Sequence, residues 1–141
     1  MKIRIREAVT PEERQIAEQL AEKLLPYPLN KGYPTRWWVA WDGKTPVGYC
    51  ALVPCTERGV WFLARAGVVP SARGRNLQQR LIRVREKYVK RMGGRWLITY
   101  VSPDNMASAN NLIRSGFTLY QPERSWGVKG AMYFEKALDA S

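Results

Sequence analysis

The chain has 141 residues, a hydrophobic fraction of 45% and a formal net charge of +11 from 23 basic and 12 acidic side chains. That length suits one compact domain spanning residues 1–141, and six tryptophans argue for a packed core rather than disorder. The lack of histidine, with Cys50 and Cys55 as the only cysteines, argues against a Ser/His or Cys/His catalytic pair and against a zinc site, so no metal is expected.

The N-terminus alternates charge and isoleucine and has no apolar run fit for a signal peptide. A first strand is expected over Ile3 to Val9. Thr10-Pro11-Glu12-Glu13 then reads as a helix start: Thr10 can cap, Pro11 suits the first helical position, and acids favour the first turn. Ile16, Leu20 and Leu24 recur at helical spacing. Leu25 to Arg36 holds three prolines with Tyr27 and Tyr33 between them, and is expected to be a loop or broken helix. Trp37 to Trp41 is strand-like, turns at Asp42-Gly43 and returns over Val47 to Val53. It is also the longest apolar stretch, far too short to span a bilayer. A cytoplasmic protein with two reduced thiols and no membrane partner is the expectation.

Val60 to Val69 is a further strand. Pro70 to Asn76 is a turn rich in small and basic residues, and a long helix follows with Leu77, Leu81, Val84, Tyr88 and Met92 on one face. Gly93-Gly94 stops it. Trp96 to Val101 is a strand. Asp104 or Asn105 caps a helix whose apolar face is Ala109, Leu112 and Ile113, and Gly116 ends it. Phe117 to Tyr120 and Ala131 to Ala137 are the last strands, joined by the loop Gln121 to Gly130. The order predicts an α/β fold: a mixed, largely antiparallel sheet with a central parallel pair, flanked by helices.

One segment concentrates the chemistry. Val68-Val69-Pro70-Ser71-Ala72-Arg73-Gly74-Arg75-Asn76-Leu77 joins a strand to a helix. Free backbone N–H groups collect at such a junction, at the positive end of the helix dipole. Gly74 allows close backbone approach, and Arg73 and Arg75 add charge. This is a cradle for phosphate or pyrophosphate, or else a plain basic turn.

Here the sequence resembles the GNAT (GCN5-related) N-acetyltransferase superfamily. Val68 to Leu77 is similar to that family's acyl-CoA loop, usually Gln/Arg-x-x-Gly-x-Gly/Ala before an amphipathic helix. Asp104 to Phe117 is similar to its Asn-x-x-Ser-x-x-x-(Tyr)-x-x-x-Gly-Phe helix, which packs beside the cofactor. The order of elements agrees across nearly the whole chain. Three departures stand out: Asn76 and Gln78 replace the two loop glycines, and Leu112 replaces the tyrosine that serves many members as general acid.

The resemblance implies an acyltransferase with acetyl-CoA as acyl donor and a small-molecule or peptide amine as acceptor. It implies cofactor contacts from Val68, Val69, Arg73, Gly74, Arg75, Asn76, Leu77, Gln78, Asn105 and Asn111, with the backbone N–H of Val68 on the thioester carbonyl. Several members carry a glutamate where this chain has Tyr100, so Tyr100 becomes the catalytic candidate. Tyr27, Tyr33, Arg65 and Trp126 are the candidates for binding the acceptor. Arg65 to Arg95 carries ten Lys/Arg against Glu86 alone, which suits an anionic partner or a solvated helix face. A nucleic-acid-binding module on the same scaffold, an acetyltransferase for a nucleic-acid-linked or acidic protein acceptor, and a homodimer therefore stay open.

Overall fold

The structure, a computed structural model, describes residues 2–25, 29 and 32–139. The first strand, β1 (Ile3–Glu7), runs into Thr10, whose side chain caps helix α1 (Pro11–Leu24). The cap is reciprocal: Glu13 N donates to Thr10 Oγ1 at 3.1 Å, and Thr10 N donates to Glu13 Oε1 at 3.0 Å. Strands β2 (Arg36–Asp42) and β3 (Thr45–Pro54) form the hairpin expected around Asp42-Gly43, and β4 (Val60–Val68) follows. A short 3₁₀ turn (Pro70–Ala72) leads to α2 (Leu77–Arg91). Then come β5 (Trp96–Val101), α3 (Met106–Arg114), β6 (Thr118–Tyr120) and β7 (Met132–Ala137). Asn105 is the cap of α3, its side chain accepting from Ser108 N at 3.2 Å.

Among the described residues the seven strands form one sheet in the order β1-β2-β3-β4-β5-β7-β6, and only β4 and β5 run parallel. Side chains alternate between its two faces, so β2 feeds two separate cores. Trp37 and Val39 pack with Ala17, Leu20 and Ala21 of α1. Trp38 and Ala40 pack on the other face with Leu81 and Val89 of α2, Leu97, and Leu112 of α3. The face of α2 differs in part from the expected one. Met92 is exposed, while Ile82, Arg85 and Val89 are buried. The stripe that meets the sheet is rotated from the one the apolar residues alone suggest.

The feature that positions the site is a split in the sheet. Parallel pairing of β4 with β5 covers only Val60 to Phe62 against Trp96 to Ile98. Thr99 Oγ1 donates to Leu63 O at 2.8 Å, the last link between the two strands before they part. There β4 carries a bulge. Cys50 faces Ala66 and Leu52 faces Leu63, so Ala64 and Arg65 together oppose Ala51 of β3. An extra residue on one strand bends it and increases its twist. Beyond the bulge β4 stays with β3, β5 stays with β7, and a gap opens between them.

Candidate active site

The part of β4 beyond the split borders a cleft of about 540 Å³. One wall is the free edge of β4. Val69 N donates to Val47 O at 2.9 Å, so in this register Gly67 and Val69 turn their backbone groups towards β3. Antiparallel pairing alternates, so Ala66 and Val68 present theirs to the gap. Val68 O accepts from Arg73 Nε at 3.3 Å, which folds the following loop back on the strand.

That loop forms the floor. Gly74 has φ +79° and Asn76 has φ +55°, both left-handed, with Arg75 between them. Alternation of this kind turns successive N–H groups to one side and makes an anion nest. Asn76 stands at the N-cap of α2, but its side chain makes no capping hydrogen bond. The first N–H groups of α2 thus have no side-chain cap from Asn76, at the positive end of the helix dipole. Leu77 and Gln78 of the first turn line the cleft. The opposite wall is α3, through Asn105, Ala107, Ser108 and Asn111. Leu112, one residue on, is only 5% exposed and belongs to the core. The cleft's lining includes no acidic side chain among the described residues.

An aromatic cluster lies on the sheet face where β4 and β5 meet. The Tyr100 ring stacks on Phe62, with centroids 5.9 Å apart and planes at 7°. Trp126 sets its edge against both, at 5.2 Å from Tyr100 and 5.5 Å from Phe62, and lies 5.2 Å from Tyr133. The β6–β7 loop reaches this close because Gly127 has no side chain: a Cβ there would lie 2.8 Å from Tyr100 Cγ. Gly127 N donates to Tyr133 Oη at 2.8 Å. Trp126 remains 40% exposed, so the cluster faces solvent on one side.

The family model described as the acetyltransferase (GNAT) family matches residues 3–117. The chain belongs to that family. A mycothiol acetyltransferase from Geodermatophilus obscurus is 31% identical over 98 residues, covering 66% of this chain; the chain spans only 32% of that protein. Arabidopsis thaliana NAA60, solved with a bisubstrate analogue, superposes with a TM-score of 0.79 at 16% identity, over 99% of this chain and 100% of that one. A phosphinothricin acetyltransferase of Sinorhizobium meliloti, in complex with acetyl-CoA, gives 0.73 at 19% identity, over 98% and 89%. The ribosomal-protein-S18-alanine N-acetyltransferase of Escherichia coli gives 0.74 at 12%, over 96% and 94%. At these identities the structural likeness is one of fold.

Measured against this GNAT acetyltransferase fold, the sequence-derived residues separate into groups. Val68, Arg73, Gly74, Asn76, Leu77, Gln78, Asn105 and Asn111 all line one cleft. Val69 is not among the lining residues, and its N–H is taken by Val47 O. Arg75 lies in the loop, exposed, without lining the cleft. Tyr100 and Trp126, distant in sequence, meet in the aromatic cluster. Tyr33 is 60% exposed, and Tyr27 lies outside the described residues. Arg65, expected to meet the acceptor, does not line this cleft. Its Nη2 donates to Ala21 O at 3.2 Å and Leu25 O at 3.4 Å, so the guanidinium satisfies carbonyls at the end of α1. Sequence reasoning missed Ala66, Gly67, Leu24 and Leu25, which also line the cleft. Strand alternation from Val68 points to Ala66; no local signal marks the two leucines.

None of the perturbed acids lines this cleft, although the Tyr49 ring packs behind Gly67 of its wall. Burial pushes the Cys50 thiol up to about 11, opposed by the nearby Arg85 cation. Burial likewise raises Tyr49 and, near the aromatic cluster, Tyr120. A thiol held neutral is a poor nucleophile, so Cys50 reads as core. Among the described residues no cluster of three or more His, Cys, Asp or Glu could hold a metal, and no helix is long and apolar enough to cross a membrane.

Proposed function

We propose that the protein transfers the acetyl group of acetyl-CoA directly to a primary amine. One observation carries this reading: a strand edge with unpaired N–H groups at Ala66 and Val68 leads into the left-handed nest at Gly74 and Asn76. The nest and the start of α2 suit a pyrophosphate, with Arg73 beside it. The pantetheine arm, an amide chain, suits the exposed edge of β4, and Asn105, Ser108 and Asn111 supply polar groups across from it. The thioester then lies near the split, close to the bulge.

The amine nitrogen attacks the thioester carbonyl carbon, a C–N bond forms, and the carbonyl oxygen takes the negative charge. N–H groups of Ala66 and Val68 are the donors for that oxyanion, and such donors supply much of the rate. Collapse breaks the C–S bond and releases CoA as thiolate. The proton lost by the amine reaches the thiolate through water, since no carboxylate lines the cleft among the described residues and Leu112 stands where a tyrosine acid would. Tyr100, at the end where the strands part, orders that water or the amine. The acceptor enters over the face bearing Phe62, Tyr100 and Trp126, and apolar or aromatic amines suit it. A reducing, cytoplasmic setting suits the free thiols Cys50 and Cys55.

Calorimetry with acetyl-CoA is the first test, followed by a screen of amino acids, polyamines, peptides, aminoglycosides and the amine acceptor of mycothiol acetyltransferase. Saturable binding of acetyl-CoA with CoA release on one of these acceptors is the expected result. No binding at millimolar acetyl-CoA would overturn the reading.

A further inference from the structure

We propose that Arg85 is a positioning residue for acetyl transfer: its buried guanidinium holds the β4 bulge and so aims the strand edge at the thioester carbonyl. Arg85 sits on α2 and is only 2% exposed. Its Nη1 donates to Ala51 O at 3.0 Å and to Ala64 O at 3.4 Å, while Nε donates to Leu81 O at 3.0 Å. Ala51 and Ala64 are the residues at which the β3–β4 register shifts. A bulge disrupts the local ladder and leaves backbone groups in need of other partners. One side chain thus bridges the two strands where their own pairing is irregular. From α1, on the opposite face, Arg65 of the same bulge is held by the carbonyls of Ala21 and Leu25. The bend is therefore fastened to α2 through Arg85 and to α1 through Arg65.

The position of this fastening gives it consequence. Thr99 holds Leu63 O, the last tie to β5, and Arg85 holds the next carbonyl along. Two residues further on, Ala66 exposes its N–H to the gap. The angle at which β4 leaves β5 thus sets where Ala66 and Val68 stand, and a donor to an oxyanion is sensitive to small displacements. Burying a guanidinium is costly, and an apolar side chain of similar size is often no worse for stability. Packing alone does not account for an arginine here; two strand carbonyls at a bulge, with Leu81 O of its own helix holding Nε, do.

The test compares Arg85→Met, which keeps length without donors, and Arg85→Lys, which keeps charge but has a single nitrogen. The first readout is amide hydrogen exchange in free protein. Arg85→Met is expected to speed exchange at the β3-paired amides of Leu63–Val68, Gly67 among them, about tenfold while α2 and β7 keep their protection, with Arg85→Lys between it and wild type. The second readout is the infrared carbonyl band of bound acetyl-CoA, and this arm alone rests on the acetyl-CoA reading of the cleft. Wild type should shift that band to lower frequency than in free acetyl-CoA. Arg85→Met should lose most of the shift while its calorimetric Kd for acetyl-CoA changes less than threefold.

Wild-type exchange at those β3-paired amides in the variants would overturn the proposal, and so would equal acceleration of every amide, which would mean a general loss of stability. A retained carbonyl shift in Arg85→Met would overturn it too. Should Arg85→Met fail to fold, Arg85→Lys is judged by the same criteria. If wild type does not bind acetyl-CoA, the reading of the cleft fails, and the exchange experiment alone decides the role of Arg85.

Discussion

Substituting valine at Gly74 tests the loop reading, and a second glycine supplies the control. Gly74 has φ +79° and Gly43 has φ +60°; an added Cβ meets nothing within 4 Å at either position. The cost to the fold is then mainly the left-handed conformation, about 1–2 kcal/mol for a residue with a side chain, more for a β-branched one. Both Gly74→Val and Gly43→Val should therefore melt lower by comparable amounts, roughly 4–10 °C for a chain of this size. Their ligand effects should separate. Gly43 turns the β2–β3 hairpin, whereas Gly74 lines the cleft between Arg73 and Asn76. A side chain at Gly74 displaces a pyrophosphate from the N–H groups beneath it. Losing one hydrogen bond to a charged group costs about 1.5–3 kcal/mol, or roughly 10- to 150-fold in affinity. Isothermal calorimetry with CoA on wild type and both variants, at a temperature where all are folded, gives the comparison. Equal CoA affinity in Gly74→Val and Gly43→Val would refute the assignment of the pyrophosphate to this loop.

Asn76→Gly removes a non-glycine residue from the left-handed region; it should raise stability by up to about 1 kcal/mol and leave CoA affinity within about threefold, read by denaturant melts and calorimetry. Tyr100→Phe keeps the ring stacked on Phe62 and should slow turnover only about tenfold once an acceptor is known, with the wild-type rate climbing with pH towards the pKa of the acceptor amine. A loss of several thousandfold would make Tyr100 an essential acid or base. Because the Cys50 thiol is raised from 9.0 to about 11 in the fold, the unfolded chain ionises first, and stability should fall as pH rises through that window. Cys50→Ala should flatten the fall measured by urea melts between pH 8.5 and about 10.5, and an unchanged slope would count against the burial argument.

Much of the architecture is legible in the sequence because its signals are local. Thr10, Pro11 and Glu13 start α1 through bonds that span three residues, and Asn105 does the same for α3. Gly74 and Asn76 announce left-handed backbone by their own conformational preferences. The loop and the α3 wall of the cleft follow from those segments, since each brings its cleft-lining atoms with it.

What tertiary structure alone decides is which distant groups meet. Arg65 reads in the sequence as a cation on a core strand, free to meet an acceptor; in the fold its guanidinium is engaged by the end of α1. Arg85 reads as one more charge on a basic helix, yet it is buried among carbonyls at a bulge that no residue type announces. Tyr100 and Trp126 come together only because the β6–β7 loop folds back over the sheet, and a glycine permits it. A hydrogen bond or ring contact between remote segments depends on strand register and helix placement, and both are set by the packing of two cores at once. Local propensity carries information over a few residues, whereas the opening between β4 and β5 is a property of the whole sheet.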